Sequence, residues 1–168
     1  MSDNNTAIIT LKSSDGEEFD VPREVALMSV TVRNLIEDDY DKKNIPLYNV
    51  ESRVLVKVIE YCKRHCPATT TTTNSSEAMT EEEKKKQEEE LEAWDKEFVN
   101  MDYDQLFIVI NAANYMVVEG LMDIACRKVA DRIRRLSVEE VREVFGIEND
   151  FTEEEEAELR RESEWAFQ

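Results

Sequence analysis

Leu106-Phe107-Ile108-Val109-Ile110-Asn111-Ala112-Ala113-Asn114-Tyr115-Met116-Val117-Val118 is apolar at every position except Asn111 and Asn114. A helix of this composition is apolar nearly all round and has to be covered on more than one side. It is too short for the ~20 apolar residues that span a bilayer. Its cover is therefore protein: its own domain, another chain, or both. Just upstream, Leu91, Trp94, Phe98 and Met101 carry helical periodicity. Before them, residues 77–92 are nearly all Glu and Lys, and residues 68–76 include five consecutive threonines. Neither stretch has an apolar period, so both read as a solvated, disordered insert. Pairs such as Glu81 with Lys85 support helix by only ~0.2–0.5 kcal/mol each, too little to hold it without packing.

N-terminal to the insert, Val54, Leu55, Val58, Ile59 and Cys62 recur on one face of a helix predicted from Glu51 to about His65 and stopped by Pro67. At the start of the chain, Ile8, Ile9 and Leu11 precede Ser13-Ser14-Asp15-Gly16, and Phe19 and Val21 alternate with acids after it. The Asp-Gly step between two alternating runs predicts a β-hairpin. A short helical segment over residues 24–28 follows, then a second small helix after Ser29 or Thr31, with Val32, Leu35 and Ile36 on one face. Ile45-Pro46-Leu47-Tyr48 fits only an edge strand or an extended loop.

Beyond the apolar helix, Gly120 is expected to separate it from a helix over residues 121–136. There Leu121, Ile124, Ala125, Val129 and Ile133 make one face, and Arg127, Lys128, Arg132, Arg134 and Arg135 load the polar side and the last turn. Ser137 to Glu140 is a capping box with Gly146 placed to end its helix, and Thr152 to Glu155 repeats the signature. Strands followed by helices give an α+β fold.

The 168 residues carry a formal charge of −18, with 21 Lys and Arg against 39 Asp and Glu. A field of that sign repels phosphate backbones and anionic head groups, so nucleic acid and membranes are poor partners. Three glycines allow no phosphate-cradling loop, and no G-x-S-x-G or other nucleophile signature is present. Neither an enzyme nor a small-molecule substrate is expected. Without a basic, then apolar, leader the chain reads as cytosolic or nuclear, and Cys62, Cys66 and Cys126 as reduced thiols. Cys62, His65 and Cys66 have zinc-like spacing on one helix, but a fourth ligand is missing. No metal and no cofactor is expected, and the Glu153–Glu156 run serves a helix start rather than calcium.

The chain resembles the small S-phase-kinase-associated adaptors of SCF-type ubiquitin ligases over nearly its whole length. The resemblance rests on Ser13-Ser14-Asp15-Gly16-Glu17, Val58-Ile59-Glu60-Tyr61-Cys62-Lys63-Arg64-His65, Trp94-Asp95-Lys96-Glu97-Phe98, Ala112-Ala113-Asn114-Tyr115, and Phe145-Gly146-Ile147 with Asn149-Asp150-Phe151-Thr152. Trp165-Ala166-Phe167 is similar to the plant branch. The resemblance implies a POZ (BTB) domain over residues 1–66 and 91–136, interrupted by the insert at 67–90, with two added helices and a tail over 137–168. It also implies a non-catalytic bridge between a cullin scaffold and F-box substrate receptors, in nucleus and cytoplasm. The alternative is a homo-oligomeric POZ scaffold in transcription that never meets a cullin.

Carried over residue by residue, the cullin surface comprises Asn114 and Tyr115, with Pro46 and Leu47. The F-box surface comprises Leu106, Phe107, Ile110, Cys126, Val129, Ile133, Val141, Phe145, Ile147 and Trp165. The family usually has Leu at Asn111 and Pro at Tyr48 and Val138. An amide at 111 inside the apolar helix, left unpaired, is expected to cost ~1–3 kcal/mol. Tyr48 is expected to alter affinity at the cullin edge.

Overall fold

The computed structural model describes residues 7–38, 44–66, 81–163 and Trp165. The readings of 67–80 and of Phe167 lie outside these residues. The described residues form a three-stranded sheet and eight helices, an α+β fold, and divide into two compact units, Met1–Val129 and Ala130–Gln168. The division falls earlier than the expected start of the C-terminal part at 137.

In the first unit, β1 (Ile8–Lys12) pairs antiparallel with β2 (Glu18–Pro22) and parallel with β3 (Asn44–Pro46), giving the order β2-β1-β3. Ile9 faces Val21 across the hairpin, and Ile9, Leu11 and Val21 are buried. The alternate positions face outward, where the Thr10 hydroxyl donates to Asp20 at 2.6 Å and Lys12 lies 3.4 Å from Glu18. The turn needs Gly16, whose φ of +90° an L side chain rarely adopts. Leu11 is opposite Ile45, and Pro46 ends the short edge strand, where its missing N–H does no harm.

The hairpin turn also starts a helix. Asp15 accepts the Ser52 N–H at 2.9 Å and the Ser52 hydroxyl, so it caps α3 (Ser52–His65) from outside. The Ser13 hydroxyl, and next that of Ser52, hold the Asp15 carboxyl down at about 2, from a usual 3.8. A depressed carboxylate stabilises the fold above its unfolded pKa, and that contribution fades as pH falls from roughly 4 toward 2. Asp15→Asn is therefore expected to melt below the unsubstituted chain at pH 6, with the gap closing toward roughly pH 2. A gap unchanged across that window in thermal melts contradicts the capping role.

Two short helices, α1 (Arg23–Ala26) and α2 (Val30–Glu37), follow the hairpin, and Ser29 caps α2 by accepting the Val32 N–H at 3.2 Å. Helix α3 buries Val54, Leu55, Val58, Ile59 and Cys62, the face its periodicity specified, together with Tyr61. Each fully buried Leu or Val contributes ~1.5–3 kcal/mol.

The next helix, α4 (Glu81–Phe98), begins inside the stretch read as disordered insert. Its C-terminal end is anchored. Trp94 stacks on Phe98 at 4.6 Å and Tyr61 on His65 at 4.0 Å, while His65 Nε2 lies 2.8 Å from Asp95 Oδ1. An anchored turn supplies the nucleus that an isolated Glu/Lys segment lacks, and good helix formers then propagate it. Residues 82–90 remain fully on the surface. Replacing 68–90 by a short flexible linker is therefore expected to shift the melting temperature by less than about 5 °C, since loop length enters only logarithmically. A larger fall shows that the acidic tract docks onto the fold.

The apolar stretch forms α5 (Tyr103–Met116), capped by Asp102, which accepts the Gln105 N–H at 2.8 Å. Leu106, Val109, Ala112, Ala113 and Met116 are buried, but Asn111 is exposed. The expected buried amide does not exist: the helix turns position 111 to water, and the desolvation cost vanishes with it. The helix ends at Val117 (φ 51°), not at Gly120. Gly120 instead sits in the first turn of α6 (Glu119–Ile133), where a Cβ would lie 2.6 Å from Tyr61 Oη. That glycine is required for close approach rather than for a break.

The second unit holds the end of α6, α7 (Val138–Phe145) and α8 (Glu153–Ser163). The Ser137 capping box forms, with Glu140 N–H to Ser137 Oγ at 3.2 Å and Ser137 N–H to Glu140 Oε2 at 2.7 Å. Gly146 closes the helix at φ 60°, with Ile147 N–H bonded to the Arg142 carbonyl at 2.8 Å. Glu155 accepts the Thr152 N–H at 2.9 Å, and the backbone and hydroxyl of Thr152 hold its carboxyl below the usual range. Arg142 with Glu156 at 3.0 Å and Arg160 with Glu139 at 3.1 Å link α7 to α8.

Candidate partner-binding surfaces

The first candidate surface lies at the end of α5. Asn114 is exposed, and Tyr115 is half-buried, packed against the main core. The last carbonyls of a helix have no intrahelical partner. Here the start of α2 supplies three. The Thr31 hydroxyl donates to the Tyr115 carbonyl at 2.8 Å, the Ser29 hydroxyl to that of Met116, and the Val30 N–H to that of Val117 at 3.3 Å. The positive end of one helix meets the negative end of the other. Sequence reading treated Ser29 and Thr31 only as alternative helix starts. Ser29 is the cap, and Thr31 reaches across the fold, which no local spacing discloses.

Of the two residues assigned to the sheet edge, Pro46 is half-buried, but Leu47 is only 1% exposed and belongs to the core. Its N–H bonds the Lys12 carbonyl at 2.7 Å, which extends the β1 pairing by one residue and turns the side chain inward. Tyr48, 71% exposed, faces solvent just beyond this strand.

The second candidate surface is assembled from apolar residues along α5 and α6. Leu106 is closed inside, packed with Val99 and Ala125, so it supports the surface and does not form it. Ile110 and Val129 lie half-buried over that cluster, Phe107 stacks on Tyr103 at 6.4 Å, and the Cys126 thiol is exposed.

In the second unit, α7 and α8 have no buried residue. Ile133 and Val141 are half-buried, whereas Phe145, Ile147 and Trp165 are exposed, Trp165 by 79%. Val138, Phe151 and Leu159 are exposed as well and were not singled out as site residues by their sequence position. Phe151 lies within the Asn149-Asp150-Phe151-Thr152 run, immediately before Thr152, which opens the second capping box. An aromatic there, outside any helical face, was the available signal.

The zinc-like trio does not converge. The Cys62 thiol is pushed up to about 12, by burial and then by Cys66, and His65 is engaged with Asp95. Among the described residues no three His, Cys, Asp or Glu side chains come together as a metal site, and no helix is long and apolar enough to cross a membrane.

Residues 7–66 match the model described as "Skp1 family, tetramerisation domain", and residues 119–166 the one described as "Skp1 family, dimerisation domain". The chain is 58% identical over 165 residues to SKP1-like protein 1 of Oryza sativa subsp. japonica, covering 96% of this chain and 95% of that one. It is 52% identical over 162 residues to SKP1-like protein 15 of Arabidopsis thaliana (95% and 92% covered). It is 48% identical over 160 residues to SKP1-like protein 1A of the same plant (95% and 97% covered).

Proposed function

The chain belongs to the Skp1 family, and from that premise we propose that it bridges a cullin scaffold and interchangeable F-box substrate receptors. As a plant-type member it is an adaptor of an SCF-type ubiquitin ligase. It contributes geometry rather than chemistry: it holds receptor and scaffold in one complex and carries out no catalytic step itself.

The observation that carries the receptor half is the C-terminal unit, where Ile147, Phe151, Leu159 and Trp165 are between 44% and 79% exposed and the helices bury nothing. Apolar surface left in water at this density is characteristic of a face completed by a partner. The receptor contacts are Ile133, Val141, Phe145, Ile147 and Trp165, with Phe107, Ile110, Cys126 and Val129 from the first unit. The scaffold contacts are Asn114, Tyr115 and Pro46. The homo-oligomeric transcription scaffold is not favoured, because the family match takes in the C-terminal part as well as the POZ part. The site of action is the nucleus and cytoplasm.

The test is reconstitution. The full chain, an F-box domain and a cullin N-terminal domain are expected to elute together as a one-to-one-to-one complex, with an F-box interface of ~1,200 Å² or more. Separate elution of the chain from several F-box domains overturns the reading.

A further inference from the structure

Tyr115 and Asn114 lie on the last turn of α5, a turn that ends at Val117 in the left-handed region. A β-branched residue there costs ~1–2 kcal/mol relative to a right-handed conformation, so the turn does not keep its shape by local preference alone. It is closed by the Val118 N–H, which reaches the Ala113 carbonyl at 2.9 Å, and it is tied to α2. The Ser29 hydroxyl is buried at that tie, whereas Thr31 is half-buried beside it. Of the two, Thr31 bonds the Tyr115 carbonyl itself, at 2.8 Å across 84 residues of sequence.

We propose that Thr31 is a positioning residue for the scaffold-binding surface: its hydroxyl fixes the Tyr115 peptide and so sets the direction in which Asn114 and Tyr115 are presented. The inference rests on the assignment of those two residues to the cullin. The physical case is the geometry of a helix end. The Tyr115 carbonyl is one of the four that α5 cannot satisfy internally. Thr31 reaches it from a different helix, so the hydrogen bond fixes one helix end relative to the other. Losing the hydroxyl leaves the carbonyl to water and removes the tie to α2 made at the Tyr115 peptide itself, while the Ser29 and Val30 ties to Met116 and Val117 remain. The core contacts of α2 run through Val32 and Ile36, on other positions of the helix, and stay in place. Scaffold affinity thus depends on a residue that acts through Tyr115, not through contact of its own.

The experiment measures the affinity of the full-length chain for a cullin N-terminal domain and, in parallel, for an F-box domain, with thermal melts of each variant. Thr31→Val keeps the branched shape and removes the donor, and Thr31→Ser keeps the donor. The expected result for Thr31→Val is a loss of about fivefold in cullin affinity, the weight of one hydrogen bond, with F-box affinity within about twofold of the unsubstituted chain. Thr31→Ser is expected to restore cullin affinity. Asn114→Ala with Tyr115→Ala serves as the reference for the surface itself. If that pair weakens cullin binding while Thr31→Val leaves it unchanged, the positioning role is wrong and the surface assignment stands. If the pair leaves cullin binding unchanged, the assignment fails and the positioning role with it. Equal loss of both partners in Thr31→Val, or no rescue by Thr31→Ser, identifies Thr31 as merely structural and overturns the proposal.

Discussion

Replacing Asn114 and Tyr115 together by alanine is expected to weaken cullin binding by about thirtyfold or more, while F-box binding holds. Truncating an interface tyrosine often costs ~2 kcal/mol or more, and each 1.4 kcal/mol is a factor of ten. The two side chains differ in what else they do. Asn114 is exposed, so its truncation costs the fold little. Tyr115 is half-buried against the main core, so part of its loss falls on the fold. Asn114→Ala alone therefore isolates the contact, and a melting curve of the double variant measures the rest. Of the proposed receptor contacts, Ile147 and Trp165 lie in the other compact unit, whereas Phe107 and Ile110 share α5 with the substituted pair. A pull-down in which both partners are lost equally means that the pair is structural, and the surface assignment is then abandoned.

Truncation after Glu162 is expected to weaken F-box binding at least about tenfold, by removing Trp165, whose full burial against a receptor contributes ~1.5–3 kcal/mol. Tryptophan is among the commonest interface hot spots because it brings large area at low conformational cost. In the free chain Trp165 is 79% exposed and α8 has no buried residue. The melting temperature of the first unit and its cullin affinity are expected to be unchanged. Calorimetry against both partners separates the outcomes. An unchanged F-box affinity would falsify the tail's role, and a parallel loss of cullin affinity would mean general damage.

The readings that held were those whose signal is short in sequence. The hairpin needed only Asp15-Gly16 between two alternating runs, and the structure turns there with Gly16 at φ +90°. Both capping boxes needed two polar side chains three residues apart, and both form their hydrogen bonds. The apolar face of α3 followed from its period, and its residues are buried as a set. The candidate surfaces were less legible. Leu106 and Leu47 were assigned to partners by resemblance, yet each is closed into the core. Their hydrophobicity is the same whether a side chain faces its own domain or another protein, and nothing in the sequence distinguishes the two.

By itself the sequence determined the α+β class, the order of the elements, the capping boxes that start α7 and α8, and an apolar surplus too large for one small acidic domain to enclose unaided. These depend on groups a few residues apart, or on composition, which the chain carries whatever its fold. The tertiary structure alone decided that Asn111 faces water, that Gly120 serves the Tyr61 hydroxyl, that an aromatic anchor extends α4 back to Glu81, and that Thr31 reaches Tyr115. Each joins residues far apart in the chain or depends on which side of a helix meets its neighbour. That phase is set by packing, because an apolar period specifies a face without specifying what the face will meet.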